Sequence, residues 1–297
     1  MPSIIQKEKT ALITGAASGV GFAIAKLCRE KGMHLHLVDI NTANLNKARG
    51  ILEHINPSLK LTTHTLDVTD QNGWTRIAAA IDNLDLVVLN AGKGYKASGQ
   101  AEKGRLTPWE DPEYWKKTLD TNVFGVLYGI SALLPILKST SSAKSIVITG
   151  SKQGITNPPG GANPAYNASK ATIKNLTEHL AHDLRSDPST THISAHLIIP
   201  GWTWTGFMGN VGPDGGVQKP AGAWDARQVA KEFEAGLERG SFYIVCPDGE
   251  TDKALDQARM KWGSEDVVED RPALSRWDGE WKGEAERWIQ EEAGRRR

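Results

Sequence analysis

Apolar and polar positions follow two periods along this chain, and the two periods take turns. Thr10-Ala-Leu-Ile-Thr14 is a short apolar run ending at Gly15, whereas Phe22 to Arg29 spaces its apolar residues three and four apart. The first reads as a strand, the second as a helix, and Gly15-Ala-Ala-Ser18-Gly19-Val20-Gly21 is the turn between them. The pattern continues with a strand His34 to Asp39, a helix Ala43 to His54, a strand Leu61 to Leu66, a helix Gln71 to Ile81 and a strand Leu84 to Leu89. Pro112 suits the first turn of a long helix reaching about Leu137. Ser145 to Thr149 is the fifth strand, and Ala165 to about Arg185 is a helix with Ile173, Leu176, Leu180 and Leu184 on one apolar stripe that Tyr166 shares. A sixth strand, 192–199, a helix Ala226 to Glu238 and a seventh strand, 242–246, complete the series. Strands spaced by helices predict an α/β fold, a doubly wound parallel sheet of seven strands with helices on both faces.

Composition narrows the partners. The 297 residues fit one such domain over 1–247, with an extension over 248–297. Thirty-five basic and 35 acidic residues cancel, so no global field draws the chain to nucleic acid or an anionic membrane, and a small molecule is the expected partner. Cys28 in a helix and Cys246 in a strand read as buried apolar residues, which suits a reducing compartment. The opening residues lack the apolar core of a secretion signal, and Arg295-Arg296-Arg297 is no peroxisomal signal, so a cytoplasmic location is expected. Val123 to Leu137 is interrupted by Gly125, Gly129 and Pro135 and is shorter than the roughly 20 residues a membrane span needs. A buried helix is the better reading. His34 and His36 point outward from Leu35 and Leu37 with no acidic or cysteine cluster beside them, so they read as surface residues and no metal is expected.

The candidate chemistry lies where strands end. In the first turn, glycines let the backbone approach a pyrophosphate, and the helix N-terminus stabilises its charge. Asp39 ends the second strand 18 residues after Gly21, near the spacing at which a carboxylate meets an adenosine ribose. It would repel a 2′-phosphate, and neither Ala16, Ala17, Ile40 nor Asn41 supplies a cation for one, so NAD is favoured over NADP. Asp67-Val68 and Asn90-Ala91-Gly92 close the third and fourth strands at the same carboxyl edge. After the fifth come Ser151, Tyr166 and Lys170, the last two one helical turn apart. A fixed cation lowers a phenol's pKa, which suits Tyr166 to proton exchange with an alcohol or ketone oxygen. Such a pair alone arises often by chance; the surrounding order gives it weight. Asn122, a mediocre mid-helix residue, is either exposed or has a partner for its amide.

From Lys9 to Pro247 these residues resemble the short-chain dehydrogenase/reductase family, whose fold is a Rossmann fold. Thr14-Gly15-x-x-x-Gly19-x-Gly21 looks like its cofactor turn, Asp67 its adenine-side acid, Asn90-Ala91-Gly92 its fourth-strand motif and Tyr166-x-x-x-Lys170 its catalytic pair. The resemblance implies that Asn122 and Ser151 complete the catalytic set. It also implies that Pro200-Gly201-Trp202-Thr203-Trp204-Thr205 meets the nicotinamide carboxamide, through the Thr203 backbone and the Thr205 hydroxyl. The Ser151–Tyr166 interval is two residues longer than the usual family spacing, and the loop 157–164 can absorb the surplus. The implied activity is hydride transfer between NAD(P) and a secondary alcohol or ketone. The rivals are a nucleotide-sugar epimerase or dehydratase, disfavoured by the glycine spacing, and a catalytically silent dinucleotide-binding regulatory or scaffold protein.

Between residues 201 and 225, a segment that forms a substrate loop or lid in this family, Trp202, Trp204, Phe207, Met208 and Trp224 fit either the wall of a hydrophobic or aromatic substrate pocket or anchors for a mobile loop. The extension carries Trp262, Trp277, Trp281 and Trp288, with a helix expected over 280–292; it is expected to pack on its own subunit, cover the pocket or join a neighbour. The resemblance further implies a homodimer or homotetramer packed through the helices 112–137 and 165–185.

Overall fold

The computed structural model describes residues 4–97, 107–159, 163–205, 212–213, 218–249 and 251–297. Its strands are β1 (Thr10–Thr14), β2 (His34–Asp39), β3 (Leu61–Thr65), β4 (Leu86–Leu89), β5 (Lys144–Thr149), β6 (Ile193–Ile199), β7 (Thr203–Trp204), β8 (Trp224–Asp225) and β9 (Tyr243–Val245). Seven of them form one parallel sheet in the order β3-β2-β1-β4-β5-β6-β9, while β7 and β8 pair separately. The chain runs outward from β1 to β3 and then restarts at β4 on β1's other side. That reversal opens a crevice at the carboxyl ends of β1 and β4, where ligands bind in such sheets.

The helices are α1 (Gly19–Glu30), α2 (Thr42–Ile55), α3 (Gln71–Ala79), α4 (Pro112–Leu119), α5 (Gly125–Lys138), α6 (Gln153–Thr156), α7 (Pro164–Ser186), α8 (Ala226–Glu238), α9 (Lys253–Glu265) and α10 (Lys282–Arg296). α1, α2 and α8 cover one face through Phe22, Ile24, Leu45, Leu52 and Phe233. α3, α5 and α7 cover the other through Trp74, Leu133, Leu137, Ile173 and Leu184. Burying one such large apolar side chain stabilises the fold by roughly 1.5–3 kcal/mol, and β4, sheathed on both sides, has all its residues buried. Arg29, also buried, donates to the carbonyls of Leu52, Asn56, Leu59 and Lys60 at 2.7–3.1 Å, satisfying groups that the end of α2 and the following turn leave open. Cys28 and Cys246 are buried and free, and burial pushes each thiol up to about 12.

Two expectations are corrected. The helix predicted from Pro112 to Leu137 is not uniform: a π turn over Asp120–Phe124 separates α4 from α5, and the Gly125 N–H reaches back to the Asp120 carbonyl. This wider turn carries Asn122 into the interior, where it is fully buried. His36 is half-buried rather than fully at the surface. Its Nδ1 lies 3.0 Å from Nε2 of His64, the rings stack at 5.3 Å, and burial pulls the His36 imidazole down to about 4.

Residues 112–138 are long and apolar enough to cross a membrane by length and composition. In this fold Val126, Leu133 and Leu137 pack into the second core, while Phe124 and Leu127 remain 44% and 38% exposed. α9 and α10 enclose Leu255, Ala258, Trp262, Ala285, Ile289 and Ala293, with Trp281 and Trp288 packed against them. Trp281 precedes α10 as its N-cap rather than lying within the helix.

Candidate active site

The expected site residues lie along the carboxyl edge of the sheet, at the ends of β1 to β6 and on the helices that follow them. At β1, the Thr14 hydroxyl accepts the backbone N–H groups of Asn90 and Ala91, each at 2.9 Å, which fixes the turn after β4 against the glycine turn. The Asn90 amide spans the crevice, donating to the Thr14 carbonyl at 3.1 Å and accepting from the Thr149 hydroxyl at 3.2 Å. Gly21 has no room for a side chain, since a Cβ there would lie 2.2 Å from the Gly15 carbonyl oxygen. This contact holds the start of α1 against the turn. Ser18 caps α1 without a hydrogen bond from its side chain, and no acidic residue lies in the first turn. The helix end therefore presents amides and a hydroxyl with no carboxylate to repel a phosphate, and the residues present fit a dinucleotide.

Asp39 accepts the Ala17 N–H at 3.0 Å through one oxygen and the Asn41 N–H at 2.9 Å through the other. A carboxylate has about four acceptor sites, so these bonds orient it and leave capacity for ribose hydroxyls. Asp67 accepts the N–H and hydroxyl of Thr69, and buried Val68 receives the Trp74 indole N–H on its carbonyl.

α7 begins at Pro164 with Asn163 as its cap, accepting the Tyr166 N–H at 3.0 Å. Asn163 is itself held by the Tyr114 hydroxyl and the Tyr95 carbonyl. The start of α7 is thereby fixed from two sides. Tyr166 is hydrogen-bonded to Ser151; burial pushes the phenol up, and the Ser151 bond opposes that rise. Ser151 Oγ also accepts the Gln153 N–H at 3.2 Å. Lys170 lies one turn along, its Nζ 5.7 Å from the Tyr166 ring centroid and 2.7 Å from the Thr149 carbonyl to which it donates. Burial pulls the Lys170 ammonium down to about 8. The expected lowering of the phenol by Lys170 is thus opposed by the burial of both groups. The Asn122 amide accepts the Lys93 N–H at 2.8 Å and donates to the Lys93 carbonyl and to Ser169 Oγ at 3.1 and 3.0 Å. Ser169 in turn donates to the Tyr166 carbonyl at 2.8 Å.

Ser151, Tyr166, Lys170 and Asn122 are thus connected in one cluster, with Gly92 bordering both Asn122 and Lys170. Pro200 and Gly201 follow β6; Thr203 donates to the Gly201 carbonyl at 3.1 Å and Thr205 packs against Gly19. Of the aromatic residues expected at the pocket, Trp202 is 45% exposed, Trp204 pairs in β7 with β8, and Trp224 packs on the first core. Phe207 and Met208 lie outside the described residues. Sequence reasoning placed Thr14 in the cofactor turn but not its bonds to Asn90 and Ala91, and it missed Ser169 and Lys152, which carried no local signal. Among the described residues no group of three or more His, Cys, Asp or Glu could hold a metal.

The family model for the short chain dehydrogenases matches residues 9–215. An uncharacterized oxidoreductase of Staphylococcus epidermidis is 33% identical over 196 residues, covering 65% of this chain and 79% of that protein. The crystal structure of a short chain dehydrogenase/reductase from Burkholderia phymatum in complex with NAD aligns with a TM-score of 0.74 and 26% identity, over 90% of this chain and 96% of that one. An alcohol dehydrogenase from the archaeon Thermococcus sibiricus, complexed with 5-hydroxy-NADP, aligns with a TM-score of 0.66 and 21% identity, over 83% and 99% of the two chains, a likeness of fold.

Proposed function

The chain belongs to the short chain dehydrogenase family as an oxidoreductase that binds NAD(P), and from this premise we propose that it interconverts a secondary alcohol and a ketone, with NAD(H) preferred. The observation that carries the reading is the cluster at the ends of β4 and β5, where Tyr166 meets the Ser151 hydroxyl and Lys170 is fastened to the Thr149 carbonyl. Bound nicotinamide supplies the hydride or accepts it. In the reductive direction Tyr166 gives its proton to the carbonyl oxygen, which becomes the alcohol hydroxyl; in the oxidative direction it takes that proton back. Burial raises the phenol, so Tyr166 carries a proton at neutral pH, as a donor must. Ser151 holds the reacting oxygen by a hydrogen bond. Lys170 favours the phenolate once the proton has left and orients the nicotinamide ribose. Asn122 is assigned the water that connects Lys170 to solvent. The preference for NAD rests on Asp39, whose charge would repel a 2′-phosphate.

A hydrophobic or aromatic substrate is supported by Trp202, exposed beside Gly201. A homodimer or homotetramer through α4, α5 and α7 is supported by the exposed Phe124 and Leu127, and a monomeric mass in solution would remove it. The test of the reaction is NADH and NADPH oxidation with aliphatic, cyclic and aromatic ketones. Tyr166→Phe is expected to bind NADH and lose turnover by about 100-fold or more. Near-parental turnover in that variant would refute the assignment.

A further inference from the structure

Lys152, the residue after Ser151, connects the catalytic edge to the C-terminal extension. Its Nζ lies 3.2 Å from Asp248 Oδ2 and 2.5 Å from Asp256 Oδ2, the latter carried by α9. The side chains of Lys152, Asp248 and Asp256 are 11%, 16% and 4% exposed. These contacts are ion pairs rather than well-angled hydrogen bonds. The same Asp248 oxygen accepts the Trp202 N–H at 2.6 Å, and the Lys152 N–H donates to the Pro200 carbonyl at 3.3 Å. Gly201 is closed in between them: a Cβ there would lie 1.8 Å from Asp248 Oδ2 and 2.8 Å from Lys152 Nζ. The apolar core of the extension is made of its own residues, and α9 meets the main body at α6, the short helix that follows Lys152. Lys152, Asp248 and Asp256 are thus enclosed where the extension reaches the segments carrying Ser151 and Trp202, with Arg259 and Arg276 of the extension also acting on Asp256. Burying charge is costly and apolar contacts would fasten two elements at least as firmly, so what this cluster adds is fixed geometry.

We propose that Lys152, Asp248 and Asp256 form a latch through which the C-terminal extension positions the Ser151 turn and the Gly201–Trp202 backbone. The three are positioning residues for the reaction proposed above, on which this inference rests. Lys152 fixes the turn from which Ser151 projects. Asp248 sets where Trp202 stands at the substrate face. Asp256, on a helix made rigid by the Trp262 core, completes the charge around Lys152. The glycine turn and Asp39 lie outside the latch, and it borders the residues expected at the nicotinamide only at Gly201, so its loss is read on the alcohol or ketone more than on dinucleotide affinity.

The test compares the full-length parent with Asp256→Asn, which keeps the Lys152–Asp248 pair and removes the carboxylate that α9 contributes to it. Asp248→Asn is the second variant should the first fail to fold. Hydrogen exchange of the Trp202 amide and of the 151–156 segment is expected to quicken by about tenfold. At a temperature where every variant is folded, KM for the ketone is expected to rise about fivefold or more with a fall in kcat, while NADH affinity stays within about twofold. The control is Glu292→Gln, which breaks pairs with Lys261 and Arg296 inside the extension and leaves the latch intact. It is expected to lower Tm without changing exchange at 151–156 or at Trp202. The latch is overturned by unchanged exchange in Asp256→Asn, by the same acceleration in Glu292→Gln, or by kcat and KM that both stay within about twofold of the parent. The exchange and NADH-affinity measurements need no ketone. A parent that turns over none of the panel would therefore count against the proposed reaction, while those two readouts still decide the latch.

Discussion

Replacing Lys170 with methionine should make the protein more stable at neutral pH while sharply lowering its turnover. The ammonium is 5% exposed, and burial pulls it from an ordinary 10.5 to about 8. At about 1.36 kcal/mol per pH unit, holding it charged below pH 8 costs the fold roughly 3 kcal/mol. Its bond to the Thr149 carbonyl at 2.7 Å would be lost in the variant, worth about 1 kcal/mol in the other direction. Methionine has a similar length and volume and leaves little cavity. The variant is therefore expected to be about 2 kcal/mol more stable at pH 7. The sign of the pH dependence follows from proton counting. Between pH 8 and 10.5 the unfolded lysine still holds a proton that the native one has lost, so the stability of the parent rises with pH and the gap closes. Urea unfolding at pH 7, 8, 9 and 9.5 measures this directly, with turnover expected to fall by about 100-fold in parallel. A variant less stable than the parent at pH 7, or a gap of equal size at pH 7 and 9.5, would refute the reasoning.

The far edge of the sheet should behave differently. Lys144 is buried there, donating to Asn83 and Asp85 at 2.9 and 3.2 Å, and Asp85 also pairs with Lys9. Lys144→Met should cost about 2 kcal/mol in urea unfolding and leave kcat/KM unchanged, because no residue of the candidate site touches it; a matching loss of kcat/KM would contradict that separation. His36 gives an acid-side prediction. Its native imidazole, held near 4 by burial, refuses a proton that the unfolded chain accepts below about 6.5, so stability should fall as pH drops through that window. His36→Gln should flatten the dependence of the urea midpoint between pH 6.5 and 4.5, and equal slopes in parent and variant would reject it.

What the sequence revealed was whatever is written locally. The limits of β2 at His34 and Asp39 and of α8 at Ala226 and Glu238 are those expected, because each has its full period and a clear boundary residue. The π turn over 120–124 was hidden, since one residue of extra winding leaves the apolar spacing of a long helix almost unchanged; its trace was an asparagine in a poor position. β7 and β8, of two residues each, are too short for any alternation to register. His36 was misread because its cover, His64, lies on the neighbouring strand at a register that only sheet assembly sets. Lys152 was passed over for the same reason, as its partners stand about 100 residues later in a tail rich in ordinary surface charges.

The position after the serine also bears on how such a tail can be exchanged between relatives. The family match ends at residue 215, and the segment from Asp248 onward meets the matched residues at the Lys152 side chain, at the Gly201–Trp202 backbone and along α6. Transplanting residues 248–297 onto a host with an uncharged residue at the position of Lys152 would seal the carboxylates of Asp248 and Asp256 against an apolar neighbour, a mismatch of several kcal/mol. A tail exchanged between relatives would therefore have to carry the residue at position 152 with it, since the two form one electrostatic unit.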